Sequence, residues 1–181
     1  MDAPKFNLKK DKDMLKLVEF SKKYKNQLFE MMDEWTAVED KIIPWSIRRA
    51  DYHNLDEYIP SLSISKPQNG FVPDSTYFLL DTNQNKFLGA VNIRHYLNDF
   101  LLFASGHIGD GIRPSERGKG YATKMIALAL QECKKLGIDR VLMCCKKSNV
   151  ASARTIIKNG GKLENEVVDG DHVVQRYWIE I

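Results

Sequence analysis

Long apolar runs are missing from this chain. Nothing in its 181 residues approaches the roughly eighteen consecutive apolar positions of a membrane-spanning helix. The mixed, lysine-rich start also lacks the apolar core of a secretion signal, so a cytoplasmic location is the expectation. Cysteine is scarce: Cys133, Cys144 and Cys145 make an odd set, and the adjacent pair should point to opposite faces of a strand. Reduced, buried thiols are expected in place of a disulfide framework. Histidine is scarce as well. His53, His95, His107 and His172 share no ligand spacing, and Cys144-Cys145 has no matching pair, so no metal site is expected. The net charge is only +3, and the early lysines are interleaved with acids and apolar residues, which argues against a nucleic-acid-binding tail. Repeats and low-complexity tracts are absent too. What remains, 43% apolar and 28% charged, suits one globular domain over residues 1–181, with 1–13 as an N-terminal extension.

The pattern along the chain predicts a mixed α/β architecture. A short strand is expected at 14–19, followed by an amphipathic helix at 22–38, where Tyr24, Leu28, Met31, Met32 and Trp35 recur at spacings of three and four. A second short helix is read at 54–62, and 63–75 carries the longest loop signal. Strands are expected at 76–80, 87–95, 101–103 and 106–112. The clearest helix follows at 119–136, closed by Gly137. The run 140–145 is almost wholly apolar, which reads as a central or parallel strand. A short helix at 149–158 and a closing pair of strands complete the order.

The most informative stretch joins the strand at 106–112 to the long helix: Arg113-Pro114-Ser115-Glu116-Arg117-Gly118-Lys119-Gly120-Tyr121-Ala122. The first N–H groups of a helix have no intrahelical acceptor, and their partial positive charge favours an anion. Gly118 and Gly120 permit close backbone approach, while Arg113, Arg117 and Lys119 add positive charge. The spacing is neither a Walker loop nor a dinucleotide fingerprint. It reads as a pyrophosphate cradle of another kind.

These residues resemble the acetyl-CoA motif of the GNAT superfamily of N-acetyltransferases, Arg/Gln-x-x-Gly-x-Gly/Ala, which falls on Arg117, Gly120 and Ala122. A second motif of that family falls on Asn149, Ala153 and Gly160. The likeness is greatest to bacterial members without an assigned substrate. It implies a mostly antiparallel central sheet with helices on both faces and a V-shaped split between the fourth and fifth strands. It implies acetyl-CoA as cofactor and direct transfer to a primary amine of a small molecule or peptide. Backbone groups from Ile112 onward would pair with the pantetheine arm, and the N–H groups of Gly118, Lys119, Gly120, Tyr121 and Ala122 would hold the pyrophosphate. Asn149 and Ser152 would contact the cofactor further along. Many family members also carry a tyrosine seven residues after the motif asparagine, and here that position is Ile156. A non-catalytic acyl-CoA-binding or sensing protein is therefore the alternative. If the protein forms a homodimer, sheet edges or the final strands are its expected route.

An attacking amine must be neutral, so a base is sought. His107 and Asp110 lie on the strand before the cradle, an odd number of residues apart and so on opposite faces of regular β-structure. His107 has a suitable ordinary pKa, and the alternative for it is a strand histidine bonded to its neighbours. Arg94 and His95 could meet a carboxylate-bearing substrate or simply end a solvated hairpin. Glu39 and Asp40, near Trp45 and Arg48-Arg49, are placed by the resemblance beside the acceptor pocket. No covalent nucleophile is expected, because thiols in apolar strands are inert.

Overall fold

The computed structural model describes residues 14–38 and 41–181; the expected extension and the Glu39 and Asp40 assignments lie outside the described residues. In chain order the elements are β1 (Leu15–Val18), α1 (Lys25–Ala37), α2 (Leu55–Ser61), β2 (Asp74–Asp81), β3 (Lys86–Arg94) and α3 (Asp99–Ala104). Then follow β4 (Ile108–Ile112), α4 (Tyr121–Lys135), β5 (Arg140–Lys146), α5 (Val150–Lys158), β6 (Lys162–Asp169) and β7 (His172–Glu180). Single 3-10 turns precede α1, at Lys22–Tyr24, and α2, at Trp45–Arg48.

The strands form two antiparallel sheets, ordered β1-β2-β3-β4 and β5-β7-β6. They touch at the base of β4, where Gly106 bridges Met143 and the His107 N–H donates to the Leu142 carbonyl at 2.8 Å. Beyond that point they separate into distinct sheets, which produces the V-shaped split.

Each face of the first sheet buries a different core. Leu28, Met31, Met32 and Trp35 of α1 pack with Phe78, Phe87 and Ala90 on one side. On the other, Leu79, Leu88, Val91 and Ile93 meet Met125, Ile126 and Ala129 of α4 and Ile156 of α5. The shift of register between Leu79 and Leu80, with Leu88 as the extra residue, lets Phe87 and Ala90 share one core and Leu88 and Val91 the other, although each pair is three residues apart. Fully burying an aromatic such as Phe78 contributes about 2–3 kcal/mol, so this two-sided burial is what fixes β2 and β3.

Two expectations need correction. The predicted strand at 101–103 is part of α3, because the Asn98 side chain accepts the Leu101 N–H at 3.0 Å and caps a helix there. β5, read as a central or parallel strand, pairs antiparallel with β7. Its apolar run reflects helices above and below, not a parallel neighbour.

Candidate active site

A cleft of about 480 Å³ opens where the two sheets part. Asp110 and Ile112 of β4 line one wall, Gly118, Gly120, Tyr121, Ala122 and Thr123 the end, and Asn149, Ser152 and Thr155 the α5 side. The chain turns into α4 through Gly118 and Gly120, whose φ angles of 74° and 84° lie in the left-handed region. A Cβ at either position would meet nothing within 4 Å, so the glycines are there for conformation and not for lack of room. Gly120 caps the start of α4 without a side-chain bond, and the first-turn residues Tyr121, Ala122 and Thr123 line the cleft beside it. Arg117, whose Nε donates to the Ile112 carbonyl at 2.9 Å, flanks the same end. A second helix start faces this one: Asn149 Oδ1 accepts the Ser152 N–H at 3.1 Å and caps α5, with Ala151 and Ser152 in the cleft wall. Asn159 Nδ2 donates to the Thr123 carbonyl at 3.2 Å and holds α5 against the start of α4.

Not every sequence-derived candidate is in this cleft. Arg113 is 2% exposed and faces α1 instead. Its Nε donates to Glu34 Oε2 at 2.7 Å, its Nη2 makes a shorter bond to the same carboxylate, and its Nη1 reaches the Phe87 carbonyl at 3.1 Å. Glu34 in turn accepts the Ser115 N–H at 2.8 Å. Despite burial, those bonds hold its carboxyl below the usual range. Arg113 is thus a bolt between α1 and the cradle loop, and its side chain is corrected from phosphate ligand to structural anchor. Lys119 is likewise absent from the wall; its Nζ donates to Glu116 Oε2 at 2.8 Å, opposite Lys86 on Oε1.

His107 is corrected as a base for a similar reason. Its Nδ1 accepts the Leu142 N–H at 2.9 Å, so the ring clasps the two sheets together. Burial, with the nearby Arg94 charge, pushes its pKa down to about 4. Asp110 behaves oppositely. Its carboxyl lines the cleft, yet loss of hydration, only partly offset by Arg94, pushes its pKa up to about 6. A carboxylate tuned there can accept a proton near neutral pH. The thiols are poor nucleophiles: burial raises Cys133 and Cys144 to about 12 and raises Cys145 as well.

Several wall residues escaped sequence reasoning: Thr123, Met143, Ala151, Arg154, Thr155 and Lys158. Arg154 and Lys158 stand one helical turn apart on the α5 face that begins with Ala151. A 3.6-residue period drawn from Ala151, not from the motif asparagine, runs through Arg154, Thr155 and Lys158. Ile156 also reaches the cleft, fully buried, where a tyrosine is frequent in the resembled family.

Two helix starts converging on a split between antiparallel sheets define the acyl-CoA N-acyltransferase fold. The chain belongs to the GNAT acetyltransferase family, whose domain matches residues 15–162. It is thereby an N-acetyltransferase that draws on acetyl-CoA. Among solved structures it is similar to RimL, a ribosomal L7/L12 alpha-N-protein acetyltransferase in complex with coenzyme A, at 18% identity over 93% of this chain and 94% of that one, with a TM-score of 0.67. The microcin C7 self-immunity acetyltransferase MccE, in complex with acetyl-CoA and AMP, is 20% identical over 93% of both chains, with a TM-score of 0.61. Mutant forms of the spermidine/spermine N-acetyltransferase SpeG from Vibrio cholerae are 17% identical over 93% and 94%, with a TM-score of 0.62. No curated protein sequence matches.

Proposed function

We propose that the cleft performs direct acetyl transfer to a primary amine of a small molecule or peptide, with Asp110 as the base. Acetyl-CoA, when bound, supplies the activated thioester. The fit of the wall to such a group rests on the two left-handed glycines, which turn the chain into α4 at the end of the cleft with open space beside them. Gly118, Gly120, Tyr121 and Ala122 hold the pyrophosphate through main-chain donors, with Arg117 adding charge. Arg154 and Lys158 extend the positive wall along α5. Ile112 offers its backbone beside the pantetheine arm, and Asn149 and Ser152 orient the far end.

Asp110 takes the proton that an ammonium must lose before its nitrogen can attack. At pH 7 most of its population is ionised, since its pKa is held near 6. No cysteine is needed as a relay. With Ile156 unable to donate a proton, coenzyme A would leave as thiolate, which an ordinary thiol pKa of about 8.5 tolerates, and the start of α5 at Asn149 and Ser152 would lie along its pantetheine arm.

The single observation carrying this reading is the meeting, in one cleft, of the glycine cradle with a carboxylate of raised pKa. The test measures coenzyme A affinity by calorimetry and thiol release from acetyl-CoA across an amine panel, for the wild type and Asp110→Asn. Tight binding with turnover lost in the variant supports it. Binding without turnover on any amine points instead to an acyl-CoA-binding protein, and absence of binding defeats both. A homodimer would use the β6 edge, where Leu163 and Val168 stand exposed.

A further inference from the structure

A second hollow, of about 740 Å³, lies over β2 and β3 on the opposite face of the first sheet from the cleft. Its wall draws on Lys41, Trp45, Ser46 and Arg49 before α2, on Phe71 and Asp74 before and within β2, on Asn92 and Arg94 of β3, and on Phe100 of α3. Two properties set it apart. The first is a cation with no carboxylate in ion-pair contact, Asp74 and Asp110 acting on it only at longer range. Arg49 is matched by Asp74, through Nη1 to Oδ1 at 3.2 Å and a shorter Nη2 to Oδ2 contact. Arg94 has no such match: among the described residues its guanidinium makes one hydrogen bond, from Nη1 to the Gly106 carbonyl at 3.3 Å, and no ion pair. Five donors in a planar fork serve one acceptor, in a wall whose only described carboxylate is already engaged. Ser46, 2% exposed in the same wall, also keeps its hydroxyl unpartnered among the described residues.

The second property is an aromatic mouth. Trp45 and Phe71 stack with centroids 5.1 Å apart and planes 8° from parallel, and Phe100 is 74% exposed beside them. Large aromatics held open to solvent at the rim of a hollow mark a ligand surface. The position of Arg94 then sets the scale. Its guanidinium lies 3.1 Å from where a Cβ on Gly109 would be, so glycine is what admits it against β4. The next residue is Asp110, aimed into the cleft on the other face. Arg94, packed on Gly109, and the neighbouring Asp110 are therefore one residue apart along β4, within reach of the two polar groups of one compact molecule.

We infer that the hollow receives the acceptor, and that the acceptor is an α-amino acid with an aromatic or large apolar side chain and a free carboxylate. This rests on the acetyl-transfer reading above. The carboxylate sits on Arg94, the side chain on Trp45, Phe71 and Phe100, and the amino group points through the split toward the thioester. The same cationic wall disfavours polyamines, for which it holds no unpaired carboxylate among the described residues.

The experiment compares L-phenylalanine, L-phenylalaninamide and 2-phenylethylamine as acceptors, by kcat/KM for thiol release from acetyl-CoA. The expected result is a preference for the free acid of at least about tenfold, because only it satisfies the guanidinium. The amide's amine is less basic and so more available, which weighs the comparison against the proposal. Arg94→Met should bring the ratio to about one, while Arg94→Lys keeps part of it. Coenzyme A affinity within about twofold of wild type shows that each variant is folded. Equal or better use of the amide by the wild type, or an unchanged ratio in Arg94→Met, overturns the assignment. Saturation-transfer NMR with L-phenylalanine reads the hollow independently of turnover. Binding of coenzyme A without binding of L-phenylalanine sinks this inference and leaves the cofactor site intact, whereas loss of coenzyme A binding sinks the parent reading.

Discussion

Replacing Asp110 by Asn should make the folded protein more stable at neutral pH and the enzyme far slower. The folded carboxyl has a pKa of about 6 against an ordinary 3.8. The native state thus binds the proton more tightly than the unfolded chain. Its contribution is most favourable below the unfolded value and is lost as pH rises through the folded one. By pH 7.5 the ionised, poorly hydrated carboxylate costs the fold up to about 3 kcal/mol, and near pH 4.5 only about 1 kcal/mol. The partial opening of Asp110 onto the cleft makes these figures ceilings. Asparagine has the same shape without the charge. Urea denaturation of both proteins at the two pH values should show the advantage of D110N shrinking by about 1–2 kcal/mol on acidification. His107 titrates in the same window with the opposite sign: its depressed pKa gives stability present above about 6.5 and lost as pH falls toward 4. The difference between the two proteins, not either alone, is therefore the quantity to read. Turnover should fall by about 10²–10⁴-fold, and the acidic limb of the kcat/KM profile near pH 6 should vanish. A D110N protein no more stable at pH 7.5, or an advantage that does not shrink on acidification, refutes the argument that a desolvated carboxylate sits there.

Other outcomes follow from the same geometry. Gly120→Ala forces a side chain into the left-handed region at a cost of about 1–2 kcal/mol, and coenzyme A affinity measured by calorimetry should weaken correspondingly. Glu34→Ala removes the main carboxylate from the buried Arg113 guanidinium, leaving Glu30 Oε1 at 3.1 Å, and should lower unfolding free energy by about 1.5–3 kcal/mol in urea titrations; a loss near zero would deny the bolt. The double change Arg154→Ala and Lys158→Ala should weaken coenzyme A binding and flatten its dependence on salt, read by calorimetry at two ionic strengths. His107→Asn should keep turnover within a few-fold of wild type while lowering Tm, since the ring serves as an acceptor for Leu142 and not as a base.

The cradle was readable in sequence because every part of it is local: glycines, a basic turn and a helix start fall within ten consecutive positions. The same locality misled at Arg113, which looks like a phosphate ligand beside Arg117 until α1, nearly eighty positions earlier, brings Glu34 to it. At 101–103, a run of Leu-Leu-Phe suits a strand, and the capping chemistry of Asn98 outweighs that preference. The cleft's far wall was half legible, through Asn149 and Ser152 but not Arg154 or Lys158. The second hollow was largely out of reach, being assembled from four separated segments that only the paired β2 and β3 and the turn before α2 bring together.

The seam between the two sheets has its own consequence. Below the split, one rung at Gly106 and the imidazole clasp of His107 are what tie the halves together along the backbone. Parting the halves like the jaws of a clothes-peg, with that rung as pivot, would leave every ladder within each half intact and be resisted by the apolar core that both sheets share. Deuterium uptake at the Leu142 amide, the hydrogen trapped under the clasp, would clock the rate at which the jaws part.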